Sequence, residues 1–295
     1  MYKISTNIRP LAERVGEENA IRMLAKAGFD CYDLSMNSMA IYDRKNGCVI
    51  MGDHPLQGEH WREFCEGLRR VADACGITCN QSHAPFPTGP LDMFPYLERS
   101  IEATAIVGGK ICVIHPDNRK PAEENAAFYR RLLPTAHQFG VKIATENMWN
   151  WDREKIEAIP AACSHEDDFL AHVEAVNDEY LVACVDVGHA SMRGLHTNPY
   201  KMIKKLGSHV AALHLHDNDL HRDKHAIPFT MGVNFEDVAR ALAEIDYQGD
   251  MTLEVLKCYE DVADADLPCV LDKMAAAARR VGEMTESYKA KLGKQ

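Results

Sequence analysis

The chain has 295 residues, 46% hydrophobic and 26% charged, with 33 Lys and Arg against 44 Asp and Glu for a net charge of −11. Composition excludes a disordered chain, and the length fits one barrel-sized domain of about 250 residues or two ordinary ones. No run of about 18 apolar residues exists to span a bilayer, no signal-peptide stretch opens the chain, and the acidic balance argues against nucleic acid, so a cytoplasmic protein with a small-molecule partner is expected.

Short apolar segments predict strands over 2–7, 29–34, 77–83, 110–115, 141–147, 181–187, 210–216 and 250–256. Residues stepping by three or four mark the helices between them. Phe64, Leu68, Val71 and Cys75 follow the second strand, and Phe128, Leu132, Ala136 and Phe139 follow the fourth. Val238, Leu242 and Ile245 follow the seventh, and Leu271, Met274, Ala278 and Val281 close the series. Strand–helix alternation implies parallel strands, because a parallel crossover needs a dozen or more residues. Eight such units give an α/β chain folded as a single-domain (β/α)₈ TIM barrel over residues 1–295. The competing architecture is an open doubly wound sheet, but no G-x-G-x-x-G follows the first strand, and Gly108-Gly109 reads as a turn.

The ten cysteines contain no Cys-x-x-Cys, and most sit in apolar runs such as Ile111-Cys112-Val113. They are expected to be reduced and structural, as small hydrophobes.

Barrel chemistry arises where strands end and βα loops begin. Here those ends read Ser82-His83, Ile114-His115-Pro116-Asp117, Thr145-Glu146-Asn147, Val185-Asp186-Val187-Gly188-His189, Leu213-His214-Leu215-His216-Asp217 and Leu253-Glu254-Val255. The loop after the seventh strand adds Asp223-Lys224-His225. Strand alternation puts Ala212, His214 and His216 on one side and Leu213 and Leu215 on the other, so the acids and imidazoles are expected in the barrel mouth. Carboxylates converging in one pocket raise each other's pKa unless a cation lies among them, which points to a metal. Asp117 and Asp217 are candidate helix caps, and His137 is expected on the fourth barrel helix.

On these motifs the chain resembles the xylose isomerase-like barrels, a group of sugar isomerases, ketose 3-epimerases, inositol-catabolic enzymes and endonuclease IV. The epimerase branch binds one divalent ion, and the resemblance assigns its ligands to Glu146, Asp186, His214 and Glu254, with His189 at the substrate. The endonuclease IV branch binds three zinc ions, and the resemblance supplies His83, His115, His189, Asp223 and His225 as additional candidate ligands. The nuclease pattern His-Leu-Asn-Asp is replaced by His214-Leu215-His216-Asp217, and its Gly-Glu-Gly by Pro228-Phe229-Thr230-Met231-Gly232. The net charge also suits a small polyhydroxy substrate better than DNA.

The oxygen-rich ligand set suits Mn²⁺ first, with Mg²⁺, Co²⁺ and Zn²⁺ also compatible. Glu146 and Glu254 are the expected proton carriers next to a carbonyl, and His189 the donor to developing oxyanion charge. That chemistry yields isomerisation or epimerisation of a keto-sugar or polyol; elimination from a 3-keto-glycoside and three-zinc phosphoester cleavage are the alternatives. His83, His115, Trp149, His216, Arg222 and His225 are expected substrate contacts, with Lys224 a further basic candidate. Phe86, Trp149 and Trp151 suit either the apolar faces of a sugar or the packing of a loop. Relatives include dimers and tetramers, so the resemblance leaves a homo-oligomer open.

Overall fold

The computed structural model describes residues 1–294. In chain order the elements begin with β1 (Ile4–Thr6), α1 (Arg9–Val15), α2 (Glu17–Lys26), β2 (Cys31–Ser35), β3 (Ile41–Asp43), β4 (Cys48–Ile50) and α3 (Trp61–Cys75). There follow β5 (Thr78–His83), α4 (Phe94–Ile106), β6 (Ile111–Val113), α5 (Ala122–Phe139), β7 (Lys142–Glu146), β8 (Trp149–Asp152) and β9 (Glu157–Pro160). The last third holds α6 (Glu166–Val176), β10 (Leu181–Asp186), α7 (Val187–Ala190), α8 (Pro199–Leu206), β11 (Val210–His214), α9 (Phe235–Glu244), β12 (Met251–Leu253) and α10 (Leu267–Lys291).

Parallel pairing runs β2-β5-β6-β7-β10-β11, and β12 pairs parallel with β1. Isolated bridges from Asn7 to Asp33 and from Leu215 to Leu253 join the two pieces into a closed (β/α)₈ barrel. Each expected strand is present, seven of them inside the expected window and β2 running one residue past it to Ser35. The chain adds two antiparallel hairpins that hydropathy did not reveal, β3–β4 after the second barrel strand and β8–β9 after the fifth.

The helices form where apolar residues make one stripe. On α3 that stripe is Trp61, Cys65, Leu68, Val71 and Ala72. It ends at Gly76 and α5 at Gly140, both in left-handed conformations that glycine adopts without steric cost. Outward-facing Leu34, Val185, Leu213, Leu215, Leu253 and Val255 join the helix stripes in the main core. The barrel interior is filled by a separate small-residue cluster, Val113, Ala144, Val182, Cys184 and Ala212. Alternation along each strand explains the split, and it aims the residue two positions after Val113, Ala144, Cys184 and Ala212 (His115, Glu146, Asp186 and His214) at the C-terminal mouth.

All ten cysteines are free. Burial pushes the Cys65 thiol up to about 12 and the Cys112 thiol up to about 11, which keeps both inert. His137 lies near the end of α5, the fourth barrel helix, beside Asp178. Asp117 and Asp217 do not cap helices. Asp217 instead accepts backbone N–H bonds from Asn218, Thr230, Met231 and Val233, folding the loop between β11 and α9. Asp117 accepts from the Arg119 N–H, and the residue ahead of α5 is Pro121. No helix among the described residues is long and apolar enough to cross a membrane.

Candidate metal centre and active site

Strand register sets the geometry. Asp186 pairs with His214 across β10 and β11, and Cys184 pairs with Glu146 across β10 and β7. Glu254 follows directly after β12, where its N–H donates to the Leu215 carbonyl. Glu146, Asp186, His214 and Glu254 thereby present ligand atoms within 4.8 Å of one another, and all four are buried. His214 Nδ1 lies 3.2 Å from Glu146 and 3.6 Å from Glu254.

Two further donor groups flank this one. His83 and His115 meet Glu146, and His189, His216, Asp223 and His225 form a histidine-rich set. His115 Nε2 lies 3.1 Å from Glu146 and 2.9 Å from His83 Nε2. His189 and His225 both approach Asp223, at 3.4 and 2.9 Å. His216, an expected substrate contact, is fully buried, bonded to Asp186 at 2.9 Å and stacked on His225 with ring centroids 4.2 Å apart.

Backbone contacts fix which ring nitrogen points inward. His189 Nδ1 donates to the Asn147 carbonyl and His225 Nδ1 to the Glu254 carbonyl, which turns each Nε2 toward the Asp223 carboxylate. Asn147 also binds both the N–H and the C=O of Asp186, which locks the ends of β7 and β10 together. Asp186 caps α7 through the His189 N–H. Gly188 lies on that turn because a Cβ there would come within 1.9 Å of the His216 ring.

Electrostatics follow from burial and close charges. Burial would raise the Glu146 carboxyl, but His214 and His115 override it and hold it well below the usual carboxylate range. Burial likewise opposes Asp186 and Asp223, and His189 first among their neighbours pulls both down. Burial lowers the imidazoles, yet Asp186 and Asp223 lift His189 well above its ordinary value, and Asp223 pushes His225 up to about 9. For His214 burial is outweighed by Cys184, Glu254 and Glu146, so it too is raised. In His115 burial wins and lowers the ring's pKa. Glu146 Oε2 and both His214 nitrogens are buried without a hydrogen-bond partner. A divalent cation fits such orphaned donors, since buried polar groups otherwise find partners.

Sequence reasoning missed Asp33. It is fully buried on β2 with its carboxylate 3.5 Å from His214 Nε2, placed to orient that ring from behind. The only signal was an acid inside an apolar strand. Cys184, under the centre, completes a group with Glu146 and His214, but burial pushes its thiol up to about 12. Trp149 and Trp151 stand on β8, where Trp149 lies 6.3 Å from the His189 ring. Arg222 is exposed over Trp151, and Lys224 pairs with Asp219, so both lie outside the acid cluster.

The family model for xylose isomerase-like TIM barrels matches residues 21–267, a span that holds every donor named above. A protein of Methanocaldococcus jannaschii is 26% identical over 167 residues, 52% of this chain, and the chain spans 54% of that relative's length. Among solved structures, a D-tagatose 3-epimerase-like protein superposes with a TM-score of 0.70 at 18% identity, covering 98% of this chain and 99% of its own. The 3-keto-D-glucoside 4-epimerase of E. coli superposes at 0.68 and 15% identity, covering 95% and 100%. These neighbours are sugar epimerases, and at such identity they share the fold.

Proposed function

The chain belongs to the xylose isomerase-like TIM barrel family, and from that premise we propose that it is a divalent-metal-dependent isomerase or epimerase of a keto-sugar or related polyol. The observation that carries this reading is the convergence of Glu146, Asp186, His214 and Glu254, with Glu146 and His214 atoms left orphaned. Those four residues would hold the cation, and Mn²⁺ suits their oxygen-rich set best. When bound, it supplies Lewis acidity toward a carbonyl and the neighbouring hydroxyl of the substrate.

The chain's own groups do the proton work. One carboxylate of Glu146 or Glu254 takes the proton from the carbon beside the carbonyl, and the C–H electron pair enters the enediolate. If the other carboxylate returns a proton on the opposite face, the centre inverts; return to the former carbonyl carbon gives isomerisation. Departure of a group from the β carbon would give elimination from a 3-keto-glycoside. His189, whose Nδ1 is held by the Asn147 carbonyl and whose Nε2 lies 3.4 Å from Asp223, would donate from Nε2 to the developing oxyanion on exchanging that contact. His83, His115 and His225 ring this position and are proposed to bind substrate hydroxyls. The 3-epimerase-like and 4-epimerase neighbours support this class of reaction.

A second reading is a three-zinc phosphoesterase, favoured by the two donor groups, His83–His115–Glu146 and His189–His216–Asp223–His225, that lie beside the four-residue set. Elemental analysis with a proton-exchange assay separates them. About one metal per chain and metal-dependent deuterium uptake into a ketose support the isomerase. Three zincs with phosphodiester cleavage and no exchange would overturn it.

A further inference from the structure

Beside the donor cluster the barrel mouth opens into a cavity of 590 Å³, within the roughly 300–1,000 Å³ of small-molecule sites. Its walls come from both hairpins and from the loops after β5 and β6, and include Phe86, Thr88, Asn118, Trp149 and Trp151. Two ring contacts place the cavity next to the proposed active site. The Phe86 ring lies 5.2 Å from His115, and Trp149 lies 6.3 Å from His189. None of these wall residues belongs to the donor set.

We propose that this cavity is a second subsite, which binds an uncharged polyhydroxylated ring linked to the sugar that reacts, so that the substrate is a keto-glycoside of disaccharide size. The inference rests on the isomerase or epimerase reading and names its substrate class. Two independent features carry it. The aromatic rings of Phe86, Trp149 and Trp151 offer apolar platforms to the C–H faces of a sugar. Thr88 Oγ1 and Asn118 Oδ1 are buried without a hydrogen-bond partner, although the Asn118 amide donates to the Trp149 carbonyl. Buried polar atoms are ordinarily satisfied, and a ligand hydroxyl is the partner this proposal gives these two. An amide oxygen only accepts, and the Asp117 carboxylate lines the same wall, so the ligand must bring donors. Hydroxyl groups do so, whereas a phosphate presents acceptors. Arg44 and Arg119 also line the cavity, but both are exposed at its rim, and Arg44 lies over the Phe86 ring.

Tryptophan emission of the metal-loaded protein reads the subsite without turnover. Trp149 and Trp151 are two of the chain's three tryptophans, and the third, Trp61, is buried on α3. The probes are cellobiose, maltose, sucrose and trehalose, against glucose, fructose and their 6-phosphates. At least one disaccharide should change the emission saturably, with a Kd at least about tenfold below that of either monosaccharide. Thr88→Val, which keeps volume, and Asn118→Ala should each erase that preference. Equal binding of mono- and disaccharides, tighter binding of the phosphates, or an unchanged preference in both variants would overturn the proposal. Disaccharide preference in a protein with no metal-dependent deuterium exchange would uphold the subsite while sinking the isomerase reading.

Discussion

Gly188→Ala is a sensitive probe of how tightly this centre is built. The added Cβ would lie 1.9 Å from His216 Cε1 and 2.4 Å from both ring nitrogens. Ordinary contact requires the ring to retreat by about 1.5 Å. It has nowhere to go, being fully buried, bonded to Asp186 at 2.9 Å and stacked on His225. Overpacking costs about 1–3 kcal/mol, and a hydrogen bond to a charged group contributes about 1.5–3 kcal/mol. Against this, alanine in the α7 turn gains about 0.5–1 kcal/mol over glycine. The net expectation is a loss of about 1.5–5.5 kcal/mol, a large part of an ordinary domain's roughly 5–15 kcal/mol. Reversible urea unfolding of Gly188→Ala, His216→Ala and the double variant measures it. With the ring removed, Gly188→Ala should cost nothing or stabilise by up to about 1 kcal/mol. An equal penalty in both backgrounds, or none in the wild type, would refute the clash.

Three other outcomes are expected. Glu146→Gln and Glu254→Gln should each lower kcat by at least about 10³, with the double variant little worse than either, and steady-state rates together with deuterium exchange report it. His83→Ala and His115→Ala should reduce activity and metal content less than His214→Ala; equal metal loss on chelator titration would instead favour the three-zinc centre. Because His189 and His214 are raised and His225 stands near 9, protons compete with the metal, so Mn²⁺ affinity by calorimetry should climb from pH 6.5 to 9. In chelator-treated protein the sign reverses, since a raised His225 contributes fully below its ordinary 6.5 and loses that contribution as pH passes about 9; a Tm that rises over this range would contradict it.

Much of this was legible in the chain because a barrel repeats one rule. Leu213, His214, Leu215 and His216 alternate apolar and polar residues, so the pattern alone told which side faced the helices. Glu254 between Leu253 and Val255 carried the same information. The hairpins were hidden for a physical reason. β3 and β4 have three residues each, no residue of either is buried, and nothing periodic marks them beyond the Asn46-Gly47 turn. Trp149 and Trp151 do alternate with Asn150 and Asp152, but that reads equally as a loop. Asp33 could not be found from its neighbours, because its partner His214 is distant in sequence and meets it only across the closed barrel. Asn147 was visible within its motif, yet its clamp on Asp186 depends on the register of two strands.

The donor set also explains why histidine, and not lysine or arginine, surrounds these acids. Among the described residues no lysine or arginine pairs with Glu146, Asp186, Asp223 or Glu254, whose ion-pair partners are all imidazoles. A fixed ammonium or guanidinium would neutralise the carboxylates permanently and compete with any metal for their oxygens. An imidazole can instead hold a proton while the carboxylates need a counter-charge, and release it when a divalent cation takes over that duty. The buried acids therefore remain tolerable in both states without rebuilding the barrel. On this logic His214→Lys, which keeps a positive charge at the centre, should fold at least as well as His214→Ala yet bind Mn²⁺ more weakly. Unfolding curves and metal titration test both halves, and a lysine variant that binds Mn²⁺ more tightly than the alanine variant would break the argument.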